Sequence, residues 1–199
     1  MLNKLNYRNK TLFLILLLLF QITVLAVMVL NSYLIILWGE QITLKVEPVD
    51  PHSLFQGDYV RLDYAISRLD LSKVEHDFDP MLVRPQDRIY LALIQDGDTC
   101  APQFLTLDPS LVRDKIYLQG KVQYLYQAPV SLSPVETRLR TEKTKTEYFW
   151  QLNTSWGIEQ YFIPEGTGKE IEEQITKGNI YAKIAVYKGK ARVTGLVNK

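Results

Sequence analysis

Between Thr11 and Trp38 the chain carries no charged side chain, and the only strongly polar groups in that run are Thr11, Gln21, Thr23, Asn31 and Ser32. Backbone amides in hydrocarbon must bond internally, so a run of this kind folds as a helix. At 1.5 Å per residue it reaches roughly 40 Å, more than the ~30 Å of a bilayer core, so it spans with tilt or emerges at one end. Tyr7 on one side, with Tyr33 and Trp38 on the other, suits the interfacial aromatic belts. The run is about twice as long as the apolar part of a secretory signal, and no small-x-small site follows it. No cysteine stands near its end for lipidation. It is therefore read as an uncleaved anchor. Lys4, Arg8 and Lys10 precede it without an acid. The positive-inside rule then makes residues 1–10 a cytoplasmic tail, residues 11–38 the transmembrane helix, and residues 40–199 an extracytoplasmic domain in a periplasm or lumen.

The exported part has the size of one domain with a core of its own. Beyond the tail, 20 basic side chains face 22 acidic ones. A near-neutral domain lacks the charge that phosphate-backbone binding needs, so no nucleic-acid partner is expected. Cys100 is the single cysteine, which excludes an internal disulfide and a multi-cysteine metal site.

The expected fold class is mostly β (α+β): one transmembrane helix, then a single antiparallel β-rich domain with one short helix. Residues 41–47 alternate, with Ile42, Leu44 and Val46 on one face. A second strand from Asp58 to Ile66 puts Val60, Leu62, Tyr64 and Ile66 on one face. Residues 67–86 read as irregular, with Ser72 and Glu75 spaced to cap a short helical turn. Residues 88–94 place Ile89, Leu91 and Leu93 together, and Asp96-Gly97 signals a hairpin. A long strand from Lys115 to Tyr126 is expected to turn Ile116, Leu118, Val122, Tyr124 and Tyr126 inward, with Gly120 as a bulge or kink. Glu136 to Glu147 reads as a solvated loop or edge strand. Tyr148–Leu152 and Trp156–Ile163 read as two strands joined near Asn153-Thr154. Thr167 and Glu170 form a capping box for a helix that uses Ile171 and Ile175 and stops at Gly178. A terminal hairpin turns at Lys188-Gly189 and pairs Tyr187 with Lys190, Ile184 with Val193 and Ile180 with Val197.

The densest cluster of special residues is PVDPHSLFQGDYVRLDY, residues 48–64. Its prolines and Gly57 fix a path into a core strand, and Asp58 is suited to bond the amides of the turn. A serine before Gly-Asp-x-Val is similar to the type I signal peptidases, but Ser53 lies only four residues before Gly57 and Met does not follow it. Lys45, Lys121 and Lys183 fall on polar faces, so no base lysine is evident beside Ser53. His52 and His76 have no zinc spacing, the acids Asp70, Glu75, Asp77 and Asp79 lack the EF-hand pattern, and no Walker loop, dinucleotide fingerprint or nucleophile elbow occurs. No metal and no cofactor is expected.

GDYVRLDY, residues 57–64, resembles the pattern that names the GDYxxLxY family of bacterial proteins, and PVDPHSLFQ and WGIEQYFIPEGTG look like that family's other blocks. His52 departs from the basic residue usual at its position. The resemblance implies a membrane-anchored bacterial protein, of a family often encoded near polytopic membrane proteins. A shared surface would carry Asp50, His52, Gly57, Asp58 and Tyr59 from the first block, and Gly157, Glu159, Tyr161, Pro164 and Glu165 from the second. Leu62 and Tyr64 are expected in the core.

The expected function is a non-enzymatic accessory or scaffold subunit that docks on a polytopic envelope partner. Gln21, Asn31 and Ser32 are polar spots suited to contacting partner helices in lipid. One alternative is an envelope hydrolase using Ser53 or the Asp50, Asp58 and Glu159 carboxylates. Another is a small-ligand or glycan module built on Tyr148, Trp150 and Trp156.

Overall fold

The computed structural model describes residues 2–47, 59–129, 148–164 and 180–198 together with 171, 174, 175 and 178, and side chains from residue 9 onward. Among the described residues, one long helix, α1 (Leu2–Trp38), precedes twelve strands: β1 (Glu40–Glu47), β2 (Tyr59–Arg61), β3 (Asp63–Tyr64), β4 (Arg68–Asp70), β5 (Glu75–His76), β6 (Arg88–Asp96), β7 (Thr99–Thr106), β8 (Tyr117–Pro129), β9 (Tyr148–Ser155), β10 (Gln160–Phe162), β11 (Ile180–Tyr187) and β12 (Lys190–Asn198).

No proline or glycine interrupts α1, and its Asn9–Trp38 part is long and apolar enough to cross a membrane. The Thr23 hydroxyl is satisfied within the helix, donating to Leu19 O at 2.8 Å. Only Gly39 separates α1 from β1. The domain is seated directly on the helix end. Ile35 is buried, Arg192 donates to Ser32 Oγ at 2.8 Å, and the Trp38 and Tyr187 rings meet edge-on at 6.1 Å.

One sheet has the order β12-β11-β1-β3, and a second has β4-β9-β8-β6-β7-β5. Pairing is antiparallel apart from the short β5–β7 contact. Inward residues of both sheets share one core: Ile42, Leu44 and Val46 of β1 and Ile184 of β11 join Leu91, Leu105, Leu118 and Leu152. Each such side chain contributes about 1.5–3 kcal/mol by leaving water. The hairpin tip also bridges the sheets, because Gln119 N donates to Gly189 O at 2.7 Å.

Several elements depart from the sequence reading. The strand expected from Asp58 to Ile66 is divided: β2 pairs with β10, β3 pairs with β1, and Ile66 lies in a 3-10 turn. The chain changes neighbours at Leu62, yet Val60, Leu62, Tyr64 and Ile66 are all buried as their alternation requires. In the stretch taken as irregular, Asp70 rather than Ser72 closes the turn, accepting from Ser72 N at 2.9 Å, and Glu75 lies in β5. β7 carries Pro102 and little alternation, which hid it. β6 is buried on both faces, since Tyr90 and Ala92 pack with Val112, Phe104 and Tyr117 in a second small cluster.

Tyr124 and Tyr126 point outward, not inward. A register shift between Val122 and Tyr124 inverts the alternation beyond it, so Leu125 packs on the core instead. Gly120 is not that bulge. A Cβ there would lie 2.5 Å from the Trp156 ring and 2.7 Å from Ser155 O, so glycine is required by close approach. Asn153 and Thr154 do not join two strands but sit buried within β9.

The terminal hairpin turns at Lys188 and Gly189, whose φ values of 49° and 78° suit a type I′ turn. Its register holds from Tyr187↔Lys190 to Ile184↔Val193, then shifts by one at Thr194, leaving Tyr181 opposite Val197 and Ile180 opposite Asn198. Thr194 Oγ1 donates to Lys183 O at 3.1 Å at that bulge. Ile171 and Ile175 are helical, with Ile175 buried, and Gly178 follows in a turn. Thr167, Glu170 and the 136–147 stretch lie outside the described residues.

Candidate functional site

Alternation along Tyr59 to Tyr64 sends Val60, Leu62 and Tyr64 into the core and leaves Tyr59, Arg61 and Asp63 on the other face. The second block of the sequence is its antiparallel neighbour. Arg61 pairs with Gln160, Val60 with Tyr161 and Tyr59 with Phe162, while Leu62 N donates to Glu159 O at 2.8 Å.

The turn before β10 is closed by Glu159. Its carboxylate accepts from Trp156 N and from Gly157 N, the latter at 2.9 Å, around Gly157 at φ 77°. Such charge-assisted bonds to backbone amides are among the stronger hydrogen bonds of a fold. Tyr64 OH donates to Ile158 O at 2.9 Å, and Trp156 Nε1 donates to Ile66 O at 3.0 Å. Burial, then the charges of Glu159 and Asp63, push the Tyr64 phenol well above its ordinary value. The group is a fixed donor, not an acid or base.

Above this frame the described residues line a groove of about 610 Å³, walled by Tyr59, Arg61, Gln123, Tyr124, Glu159 and Gln160. A recess of about 280 Å³ shares Arg61, Gln123, Tyr124 and Glu159 and adds Asp63, Ser67, Arg68 and Asn153. Ser67 and Asn153 are buried, and Ser67 Oγ and Asn153 Nδ2 have no hydrogen-bond partner among the described residues. Buried polar groups are normally paired, so these two leave hydrogen-bonding capacity that a water or another polar group would satisfy. Arg68 and Asp63 form an ion pair at 2.5 Å at the rim. Two ring pairs flank the opening. Tyr59 meets Phe162 edge-on at 5.9 Å, and Tyr124 stacks on Tyr126 at 5.9 Å with planes 27° apart. Phe162 is 77 % exposed and Tyr124 55 %.

Of the residues singled out in the sequence, Tyr59, Gly157 and Glu159 converge on this groove. Tyr161 instead leans on the core, and Pro164 is exposed beyond the groove walls. Asp50, His52, Gly57, Asp58 and Glu165 lie outside the described residues, as does Ser53. Sequence reasoning missed Arg61, Tyr124 and Phe162. Alternation with Tyr161 and Ile163 marks Phe162 as outward, whereas Tyr124 is turned out by a bulge that leaves no local signal. Lys45, Lys121 and Lys183 are exposed, in keeping with their polar faces. Of the rings proposed for a glycan platform, Trp156 is buried, Trp150 packs partly on the core and Tyr148 is exposed. His76 Nδ1 lies 3.0 Å from Val74 O, and Asp77 accepts from Thr106 Oγ1 at 2.7 Å. No group of three or more His, Cys, Asp or Glu placed to hold a metal occurs among the described residues.

The model of the GDYXXLXY protein family matches residues 21–196, from the middle of α1 to the last strand. The chain belongs to that family. No curated protein and no solved structure matches it. In this GDYXXLXY protein the motif's leucine and final tyrosine are core residues, and its first tyrosine borders the groove.

Proposed function

We propose that the chain is a membrane-anchored, non-enzymatic accessory subunit whose β domain docks on a polytopic envelope protein from the extracytoplasmic side. The observation that carries this reading is the exposed Phe162, met edge-on by the half-buried Tyr59, beside Arg61 and the Tyr124–Tyr126 pair. Tyrosine and arginine around a recess are the residues enriched at interface hot spots, and an aromatic as exposed as Phe162 costs a lone protein solubility.

The helix supports the anchor. Thr11 to Leu30 accounts for about 30 Å, a full hydrocarbon core. The turns after Leu30 are where Arg192 and Ile35 make their contacts, so the excess length serves as the seat of the domain. Gln21 and Asn31 stay available to partner helices, whereas Ser32 bonds within the chain. The three cations before the apolar run favour a cytoplasmic N-terminus.

A photo-crosslinking residue at Gln160, an exposed position on the groove wall, tests the docking in living cells. Capture of one multi-span membrane protein, lost when Tyr59→Ala and Arg61→Ala are added, is the expected result. Crosslinks that arise only between copies of this chain, or none at all, would overturn it.

A second reading, a small-ligand or glycan module, is favoured by the stacked Tyr124–Tyr126 pair beside the Ser67 and Asn153 groups, which are unpaired among the described residues. A sugar presents a face to stack and hydroxyls that both donate and accept. Saturable calorimetric binding of an envelope oligosaccharide, lost in Tyr124→Ala, would select it.

A further inference from the structure

Where α1 meets the β domain, a second pocket of about 480 Å³ opens between Trp38, Tyr187 and three cations, Arg113, Lys115 and Lys188. All three cations are exposed, and none has a carboxylate within ion-pair distance among the described residues. Lys115 is steadied by Gln103 Oε1 at 3.2 Å and by the Phe104 ring at 5.9 Å, and Lys188 lies 5.3 Å from the centre of the Tyr187 ring. Glu40 is the one acid on the described wall. The cations come from two separate parts of the sequence, the turn before β8 and the tip of the β11–β12 hairpin. Folding is what gathers them at the helix end.

Position gives this cluster its meaning. Trp38 lies six residues beyond Ser32, about 9 Å further along the helix. If hydrocarbon ends before the Arg192–Ser32 bond, the pocket stands at the depth of the headgroup layer. Tryptophan and tyrosine prefer that layer, and lysine and arginine there attract anionic lipid.

We infer that this junction pocket holds the phosphate of an anionic phospholipid headgroup, clamped by Arg113, Lys115 and Lys188 with Trp38 and Tyr187 at its side. The inference rests on the reading of α1 as a membrane anchor. It adds that the lipid fixes how the domain, and with it the aromatic groove, stands over the bilayer.

Native mass spectrometry of the full chain in a neutral detergent tests it, with equimolar phosphatidylglycerol and phosphatidylcholine added. The wild-type chain is expected to retain phosphatidylglycerol at least about ten-fold better. Each of Arg113→Gln, Lys115→Gln and Lys188→Gln should lower that preference about five-fold, as one cation at a membrane surface is worth. The triple variant should show none, and Glu40→Gln should strengthen it. Lys73→Gln, whose cation pairs with Asp70 away from this wall, should leave it unchanged. Equal retention of the two lipids by the wild-type chain, or a preference that survives in the triple variant, would overturn the site. So would displacement of phosphatidylglycerol by an equal concentration of inorganic phosphate, which would mark a free-phosphate site. The anchor is tested separately by carbonate extraction of membranes. A chain that resists carbonate yet shows no lipid preference overturns the lipid site alone, whereas a chain released by carbonate overturns the anchor itself.

Discussion

The Tyr64 hydroxyl donates to the carbonyl of Ile158 at 2.9 Å, tying the last residue of GDYVRLDY to the turn that opens WGIEQYF. Two blocks far apart in sequence thereby become one unit. The aromatic groove is built on their shared edge.

Tyr64→Phe removes that bond and leaves a buried carbonyl short of its donor, which should cost about 1–2 kcal/mol in denaturant unfolding. The pH dependence follows from the raised phenol value, caused first by burial and then by Glu159 and Asp63. The protonated form is favoured in the fold, so the contribution is intact below pH 10 and is lost as pH rises above it. Alkaline unfolding should therefore be less steep in Tyr64→Phe than in the wild-type chain.

Glu159→Ala strips two backbone amides of their acceptor and should destabilise the chain by about 1–3 kcal/mol. Glu159→Gln keeps one acceptor oxygen and should lose less. A variant as stable as wild type in chemical denaturation would contradict the structural role assigned to this carboxylate.

Gly120→Ala drives a methyl group into the Trp156 ring and should cost about 1–3 kcal/mol. In a Trp156→Leu background the same change should cost at least about 0.5 kcal/mol less, because the two residues share one space. Additive losses in the double-mutant cycle would show that the ring is not the obstacle.

Phe162→Ala, at an exposed site, should leave stability within about 0.5 kcal/mol of wild type while abolishing partner capture. A clear drop in thermal stability would place Phe162 in the fold rather than on the docking face.

Burial pushes the Asp70 carboxyl up, but bonds from Ser72 and the nearby charge of Lys73 outweigh it and hold the group below its ordinary value. Its stabilising contribution is present above about pH 4 and fades as pH falls below that. Ser72→Ala should move the Asp70 titration upward in NMR and weaken the acid-side dependence of stability.

The sequence alone determined the helix, because a long charge-free apolar run without proline or glycine satisfies its backbone within itself. It also determined which face of β1 and of the motif strand is buried, since strict alternation leaves one solution, and it marked the tight turns at Gly97 and Gly189. The tertiary structure decided what depends on neighbours distant in sequence. The break of the motif strand at Leu62 arises because its two halves pair with different strands. The outward rings of Tyr124 and Tyr126 arise from a bulge, and Gly120 is dictated by an indole thirty-six positions away. Glu159, by sequence a candidate for a shared surface or for acid-base work, has both carboxylate oxygens bonded by the amides of its own turn. The groove and the basic junction pocket are likewise products of folding, for each gathers residues from strands and turns that no local pattern joins.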